Sequence, residues 1–129
     1  MPIETHWANH DQSILIEKFH DVWTWQQVSK ACQMKIYPLL EDVIHPVVLI
    51  QDMVGSHWNP TTNLLQDVQQ MMQTPYPDNI QMTLVVSGNL AIDTLLISAY
   101  KRCGQDGHIF QACSTINRAL QIAGDYLNE

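Results

Sequence analysis

Residues 45–52 of this chain read His-Pro-Val-Val-Leu-Ile-Gln-Asp, and this apolar run is the stretch that decides the fold. A short run rich in β-branched residues is typical of a strand that is buried on both faces of a parallel sheet. Residues 55–62 then read Gly-Ser-His-Trp-Asn-Pro-Thr-Thr, which is typical of a loop that leads into a helix. Functional groups in open α/β sheets collect beyond the carboxyl ends of such strands, so we expect any binding or catalytic site there.

The residues before this strand predict a hairpin and a long helix. Two apolar segments, 3–8 and 13–19, are separated by a short polar turn and should pair as antiparallel strands. Thr24 is followed three residues later by Gln27, which is the pattern of a capping box. We therefore predict a helix over 25–43, and we expect Pro38 to kink or divide it because proline has no backbone N–H.

The apolar run predicts a strand over 46–52. The residues after it alternate between helical and extended patterns. The predicted elements are a helix from about Pro60 with Asn59 as its N-cap, a strand over 80–87 closed by a turn at 88–89, a helix carrying Ile92 to Tyr100, a strand over 108–111, and a helix capped by Thr115. The order ββαβαβαβα predicts an α/β fold with a mostly parallel central sheet, an N-terminal antiparallel hairpin and flanking helices.

Composition limits the class of protein. A chain of 129 residues is expected to form one domain, residues 1–129, and a content of 46% hydrophobic and 15% charged residues is that of a compact protein. Thirteen acidic and six basic residues give a net charge of −7, which argues against a nucleic-acid partner. Three cysteines without a Cys-x-x-Cys pair favour a reducing cytoplasm, and no apolar run approaches the ~18 residues of a membrane span.

Several of these features together resemble the STAS family, the sulphate-transporter and anti-sigma-factor antagonist domains. The resemblance rests on the element order, on Trp-Thr-Trp at 23–25, on the strand Val47–Asp52 with its loop, and on Thr115 at the start of the last helix. The chain is most similar to small single-domain SpoIIAA-like relatives of unknown function. The resemblance covers nearly the whole chain and implies a STAS-like fold.

The resemblance also implies a candidate regulatory site. Antagonists of this family bind an anti-sigma kinase and are switched by phosphorylation of a Ser in an Asp-Ser-Ser-Gly motif. The corresponding stretch here is 59–62, Asn-Pro-Thr-Thr, in which the acid, one Ser and the Gly are replaced. Thr61 is the candidate phosphoacceptor, because a helix N-terminus favours a phosphate. The lipid-binding relatives of the family would instead imply an apolar pocket.

Asp52 has two interpretations. Its position at the carboxyl end of a strand is that of the phosphoacceptor in response-regulator receivers. Receivers also need paired acids for Mg²⁺, whereas this chain offers only the isolated Asp11 and Asp21, and Gln111 stands where receivers carry a Lys. We therefore favour a structural role in which Asp52 accepts N–H bonds from its own loop.

Ser56 and His57 lie close to Asp52 in sequence and invite comparison with a hydrolase triad. Adjacent side chains on an extended loop point apart, whereas a triad needs its nucleophile and base within ~3 Å of each other. The chain has no Gly-x-Ser-x-Gly elbow, and its six histidines show no zinc-ligand spacing. We therefore predict no catalytic set, no metal and no cofactor.

The leading hypothesis is a non-enzymatic regulatory or binding domain that contacts a protein partner, of kinase or regulator type, through the loop and helix start at 53–62. The candidate binding residues are Asp52, Ser56, His57, Trp58 and Asn59, and Trp58 is expected to be partly exposed. Two alternatives remain open: a carrier of a small apolar or lipid-like molecule, and a small enzyme that uses Asp52 and His57. A homodimer is also compatible with the sequence.

Overall fold

The elements of the fold follow the predicted order closely. A computed structural model describes residues 2–59, 63–73, 76–104 and 107–128, without the side chains of Leu64 and Met71. Its elements are β1 (Ile3–Trp7), β2 (Ile14–Phe19), β3 (Val22–Trp23), α1 (Trp25–Ala31), a π-helical turn (Cys32–Ile36), α2 (Tyr37–Leu40), β4 (Val47–Asp52), β5 (His57–Trp58), α3 (Leu64–Met72), β6 (Ile80–Val86), α4 (Leu90–Cys103), β7 (Ile109–Ala112) and α5 (Ile116–Leu127).

Five strands form the main sheet in the order β1–β2–β4–β6–β7. β1 pairs antiparallel with β2. The pairs β2–β4, β4–β6 and β6–β7 are parallel. The hairpin turn is fixed by Asn9, whose Oδ1 accepts the N–H groups of Ser13 and Ile14. This arrangement confirms the predicted α/β fold with a mostly parallel sheet and an antiparallel N-terminal hairpin.

The sheet separates two apolar layers because neighbouring strand residues point to opposite faces. Leu15, Leu49 and Val85 face one layer, where α1, α3 and α4 also bury side chains. The other layer, to which Val48 and Leu84 belong, is covered by α5 through residues that include Ala119 and Ala123. All the strand residues named here are completely buried, so the sheet lies at the centre of the described structure.

Two very short strands, which the sequence did not predict, form a separate two-stranded sheet. The segment 53–62 was predicted as a loop, but His57 and Trp58 form β5 and pair parallel with β3. The N–H of His57 donates to the carbonyl of Asp21, and the N–H of Asn59 donates to the carbonyl of Trp23. This pairing holds the segment after β4 against the chain that enters α1.

The helix predicted over 25–43 ends earlier, at Leu40, and it is divided before Pro38 as expected. It begins as predicted, because Thr24 and Gln27 form the expected capping box. A π-helical turn, in which the N–H of Tyr37 donates to the carbonyl of Cys32, separates α1 from α2, and Pro38 lies at the start of α2. We attribute the wider turn to Pro38, which donates no N–H and crowds the carbonyl four residues earlier.

The sequence predicts that α3 starts near Pro60. The described helix begins at Leu64, where Asn63 accepts the N–H of Gln66 at 2.9 Å as a cap does, and the predicted start near Pro60 lies outside the described residues. Thr61 lies outside the described residues. Thr115 caps α5 as predicted. No helix in the described part of the chain is both long enough and apolar enough to cross a membrane.

Candidate functional site

The carboxyl ends of the parallel strands meet at one edge of the sheet, and Asp52 ends β4 there. Its Oδ2 lies 3.3 Å from Nζ of Lys18 at the end of β2, and its Oδ1 accepts the N–H of Val54 at 3.2 Å. Lys18 Nζ also donates to the carbonyl of Val54 at 3.0 Å. Both oxygens of Asp52 are therefore used to fix the turn that follows the strand.

That turn is closed by Ser56. Both the N–H and the hydroxyl of Ser56 donate to the carbonyl of Met53, at 3.1 and 2.7 Å. Gly55 has φ +81°, a conformation that side-chain-bearing residues rarely adopt. The hydroxyl oxygen of Ser56 also accepts the indole N–H of Trp23 at 2.9 Å, so the turn is tied to β3.

The Ser, His and Asp of this loop do not form a catalytic set. The Ser56 hydroxyl is bonded to Met53 and Trp23, and no hydrogen bond joins it to His57 among the described residues. His57 is exposed, whereas Asp52 is held by Lys18. The side chains that a triad would need to bring together are thus engaged elsewhere.

Trp58 lies half-buried on β5, across a small apolar pocket that it shares with Trp23, Ile92, Leu95 and Leu96. Its indole N–H is buried and has no hydrogen-bond partner among the described residues. A buried donor without a partner costs about 1–3 kcal/mol, so apolar packing must hold Trp58 in this position.

Apolar side chains in this pocket and in the turn after β4 remain exposed, and we call Val54, Trp58, Ile92 and Leu95 the edge patch. Val54 is 45% exposed, Ile92 38% and Leu95 56%. Val54 lies beside Gly88, since a Cβ built on that glycine would be 3.8 Å from Val54 Cγ2. The patch therefore joins the turn after β4 to the first two turns of α4.

The start of α4 is held rigidly behind this patch. Asn89 caps the helix by accepting the N–H groups of Ala91 and Ile92, at 3.0 and 3.2 Å. Asp93, which is 6% exposed, accepts the N–H of Ser87 at 3.2 Å and so fixes the link from β6 to α4. Ile92 and Leu95 are consequently presented from a well-supported helix terminus.

A second group of polar side chains is buried inside the α1/α3/α4 layer, where the sequence analysis did not expect one. Glu17 and Gln51 are register partners on β2 and β4, and both are 0% exposed. Gln51 Nε2 donates to Glu17 Oε1 and to the Tyr76 hydroxyl oxygen, at 3.1 Å each, and Tyr100 donates to Gln51 Oε1 at 2.6 Å. The Tyr76 hydroxyl also donates to Glu17 Oε1 at 3.4 Å. We call these four residues the buried cluster.

Burial raises the pKa of Glu17 from 4.5 to about 7, although the hydrogen bonds from Gln51 and Tyr76 lower it in part. Its second oxygen, Oε2, is buried without a partner among the described residues. Burial and the nearby Glu17 carboxylate also raise the pKa of the Cys32 thiol to about 12, so this thiol stays protonated. Because Glu17 is completely buried, a substrate cannot reach it in this conformation.

Neither a metal-ligand cluster nor the cleft at the opposite edge of the sheet involves the described residues of the predicted site. The described residues contain no group of three or more His, Cys, Asp or Glu side chains that could hold a metal ion. A cleft of about 670 Å³ lies at the opposite edge of the sheet, where Asn9, His45 and Tyr126 line it. None of the predicted site residues lines this cleft.

The comparisons with known proteins establish the fold. No protein-family model matches the chain, and no curated protein sequence is detectably similar to it. A solved structure of an uncharacterised protein from the DUF3478 family of Shewanella loihica, which has a SpoIIAA-like fold, matches with a TM-score of 0.63 and 13% identity. The match covers 97% of this chain and 91% of that one. The chain therefore has a SpoIIAA-like fold, as the resemblance implied.

Proposed function

We propose that this SpoIIAA-like domain is a non-enzymatic binding domain that docks a protein partner on the edge patch. The observation that carries the proposal is the exposure of Ile92 and Leu95 in the apolar pocket that they share with the half-buried Trp58, together with the exposure of Val54 beside Gly88. Contiguous exposed apolar surface rimmed by polar residues is typical of interaction sites. An aromatic side chain in a largely desolvated pocket is also the usual anchor of such a site.

The geometry of the patch favours a partner that presents a row of apolar side chains. Ile92 and Leu95 lie one turn apart on α4 and line the same small pocket as Trp58. An amphipathic helix binds an apolar surface through side chains at its i, i+3 and i+4 positions, one of which would cover this pocket. We therefore propose a helical segment of a protein as the occupant.

Charge favours basic side chains at the margins of that segment. Asp21 is exposed next to β3, and its carbonyl accepts the N–H of His57, the residue before Trp58 on β5. The chain as a whole carries a net charge of −7. Complementary charges at the rim of an interface speed association and select the partner.

The absence of a catalytic role is a proposal supported by the local geometry. Asp52 is paired with Lys18, the Ser56 hydroxyl is bonded to Met53, and Glu17 is inaccessible. A general base must lie within hydrogen-bond reach of its substrate, and none of these groups is placed to do so.

The proposal is tested by capturing partners on the immobilised chain and on two matched variants. Leu95→Asp puts a charge into the edge patch, whereas Ile44→Asp puts the same charge at a residue that is 96% exposed before β4. The partner's recombinant form should bind Leu95→Asp at least about tenfold more weakly, because losing a central apolar anchor costs about 2 kcal/mol or more. Equal binding by wild type and Leu95→Asp would remove the edge patch from consideration.

The finer predictions from the resemblance belong to the same proposal. We propose a partner of kinase or regulator type, Thr61 as phosphoacceptor and a cytoplasmic location, and a homodimer remains compatible with it. A Thr61→Glu variant should then lose affinity for the partner that wild type retains. Unchanged affinity would argue against a phosphorylation switch while leaving the edge patch untouched.

A carrier of a small apolar molecule is the second candidate function. The observation that favours it is the small apolar pocket lined by Trp23, Trp58, Ile92, Leu95 and Leu96. Small-molecule sites are lined mainly by apolar and aromatic side chains. Native mass spectrometry of freshly purified chain should reveal a bound mass if this is correct, and a mass equal to that of the chain alone would count against it.

A further inference from the structure

We propose that a second surface, the groove between α4 and β7, binds an extended peptide that adds a strand to the sheet. The proposed peptide has apolar side chains at alternate positions and an acidic group near its carboxyl end. This surface is separate from the edge patch, so the inference does not depend on the proposed function.

β7 is the last strand of the sheet on its side, and only one of its sides is paired. The N–H of Cys113 donates to the carbonyl of Val85 on β6, and backbone groups alternate between the two sides of a strand. Phe110 and Ala112 therefore direct their N–H and C=O groups toward the open side. No backbone group meets them there among the described residues, so the edge offers two donors and two acceptors.

A largely apolar groove of about 540 Å³ runs along this open edge. Leu90, Thr94, Ile97 and Lys101 line it from α4, and Phe110 and Ala112 are among its lining residues on β7. Leu90 is 81% exposed, the highest exposure of a large apolar side chain on α4. A strand paired to β7 would place alternate side chains over this groove, because side chains alternate with a period of two.

The shape and chemistry of the groove favour a peptide as the occupant. β7 has four residues, so pairing along it covers a short extended segment. Binding domains that add a peptide strand beside a helix obtain affinity from main-chain bonds and specificity from side-chain pockets. Here the open backbone of β7 supplies the main-chain bonds, and the groove supplies the side-chain pocket.

Charge sets the direction of the peptide. Lys101 and Arg102 are the only adjacent pair of basic residues in the sequence, and both are exposed at the end of α4, close to the start of β7. Antiparallel pairing is slightly more stable per residue than parallel pairing, and it would bring the carboxyl end of the peptide to this end of the groove. An acidic side chain or terminal carboxylate there would face Lys101 in a chain that otherwise repels anions.

The test begins with a phage-displayed library of random octapeptides selected on the full chain. We expect enriched peptides to carry alternating apolar residues followed by Asp or Glu, and we would synthesise them with a fluorophore to measure affinity by anisotropy. Failure to enrich any peptide, or enrichment of peptides without this pattern, would overturn the proposal.

Matched variants then locate the binding surface. Ala112→Pro removes an outward N–H at a position where an edge strand tolerates proline, and Ala112→Val keeps that N–H. We expect the proline variant to bind at least about fivefold more weakly and the valine variant to bind within about twofold of wild type. Lys101→Glu should weaken binding, and a peptide with Lys in place of its acid should restore it.

Two further measurements keep the outcome decisive. If Ala112→Pro does not fold, peptides N-methylated at each residue in turn should lose affinity at alternate positions on the wild-type chain. Leu95→Asp should bind the selected peptides as wild type does, whereas loss of binding would place them on the edge patch and overturn the proposal. Self-association that competes with the peptide and is lost in Ala112→Pro would identify a second copy as the occupant and would also overturn it.

Discussion

Replacing Glu17 by Gln should make the protein more stable in neutral and alkaline solution. Folding raises the pKa of Glu17 from 4.5 to about 7, since the side chain is completely buried. The folded state therefore favours the protonated form, and its stability is full below pH 4.5 and falls as the pH rises through about 7. At pH 8 the ionised carboxylate costs about 3 kcal/mol, and at pH 5 less than about 1 kcal/mol.

Gln is a close mimic of the protonated carboxyl, because its oxygen can accept the bonds from Gln51 and Tyr76 that Glu17 Oε1 accepts. Urea unfolding of both proteins at pH 5 and pH 8 measures the difference. Glu17→Gln should exceed wild type in the free energy of unfolding by about 3 kcal/mol at pH 8 and by less than about 1 kcal/mol at pH 5. The exposed Glu41→Gln is the matched control and should change neither value appreciably.

One result would refute this reasoning. If the difference between Glu17→Gln and wild type were the same at pH 5 and pH 8, Glu17 would not titrate between these values. Burial lowers the pKa of His108 to about 4, so His108 makes the folded state less stable as the pH falls, whereas Glu17 makes it less stable as the pH rises. The difference between Glu17→Gln and wild type removes the contribution of His108, which both proteins share.

Two further predictions concern stability. His108→Gln should remove a loss of stability that wild type shows as the pH falls from about 6.5 toward about 4, because over this range the imidazole binds a proton in the unfolded chain while the half-buried imidazole of the folded protein stays neutral. Thermal unfolding of both proteins at pH 4.5 and 7 tests this, and equal pH dependence would contradict it. Gly104→Ala should destabilise the fold by about 1–3 kcal/mol, because the added Cβ would lie 2.5 Å from the Phe110 ring and 2.6 Å from the Tyr100 carbonyl oxygen. Gly124→Ala should stabilise the fold by about 0.5–1 kcal/mol, because its Cβ would meet nothing within 4 Å and glycine is unfavourable within a helix. Urea titrations of both variants measure these changes, and a Gly104→Ala protein as stable as wild type would show that the Phe110 ring moves aside freely.

The parts of the fold that local sequence determines were predictable. The apolar run of β4 and the apolar segment of β2 identified two strands of the sheet, and the Thr24 and Thr115 caps placed two helix starts. These features depend on neighbouring residues along the chain, and such patterns carry over into the folded structure.

The features that were missed depend on contacts between distant segments. β5 exists because His57 and Trp58 pair with β3 and because Ser56 is bonded to the Trp23 indole, and neither contact is visible in a local window. Pro38 predicted an interruption of the helix, but it did not predict that the interruption would be a π-helical turn before the proline.

The sequence contains a pattern that predicts the buried cluster. Glu17 lies between Leu15 and Phe19 at the same strand parity, and Gln51 lies at the parity of Leu49 in β4. Polar residues at inward positions of two strands predict a buried polar pair if the strands are neighbours. That neighbour relation comes from the sheet order, which the sequence pattern alone did not specify.

The edge patch is the proposed binding face of this domain. The most direct measurement is hydrogen–deuterium exchange of the full chain, alone and bound to the protein partner recovered by capture. Protection is expected in residues 53–59 and 90–96, with Leu95→Asp abolishing it. Protection confined to the opposite edge of the sheet, around Asn9 and His45, would contradict the claim.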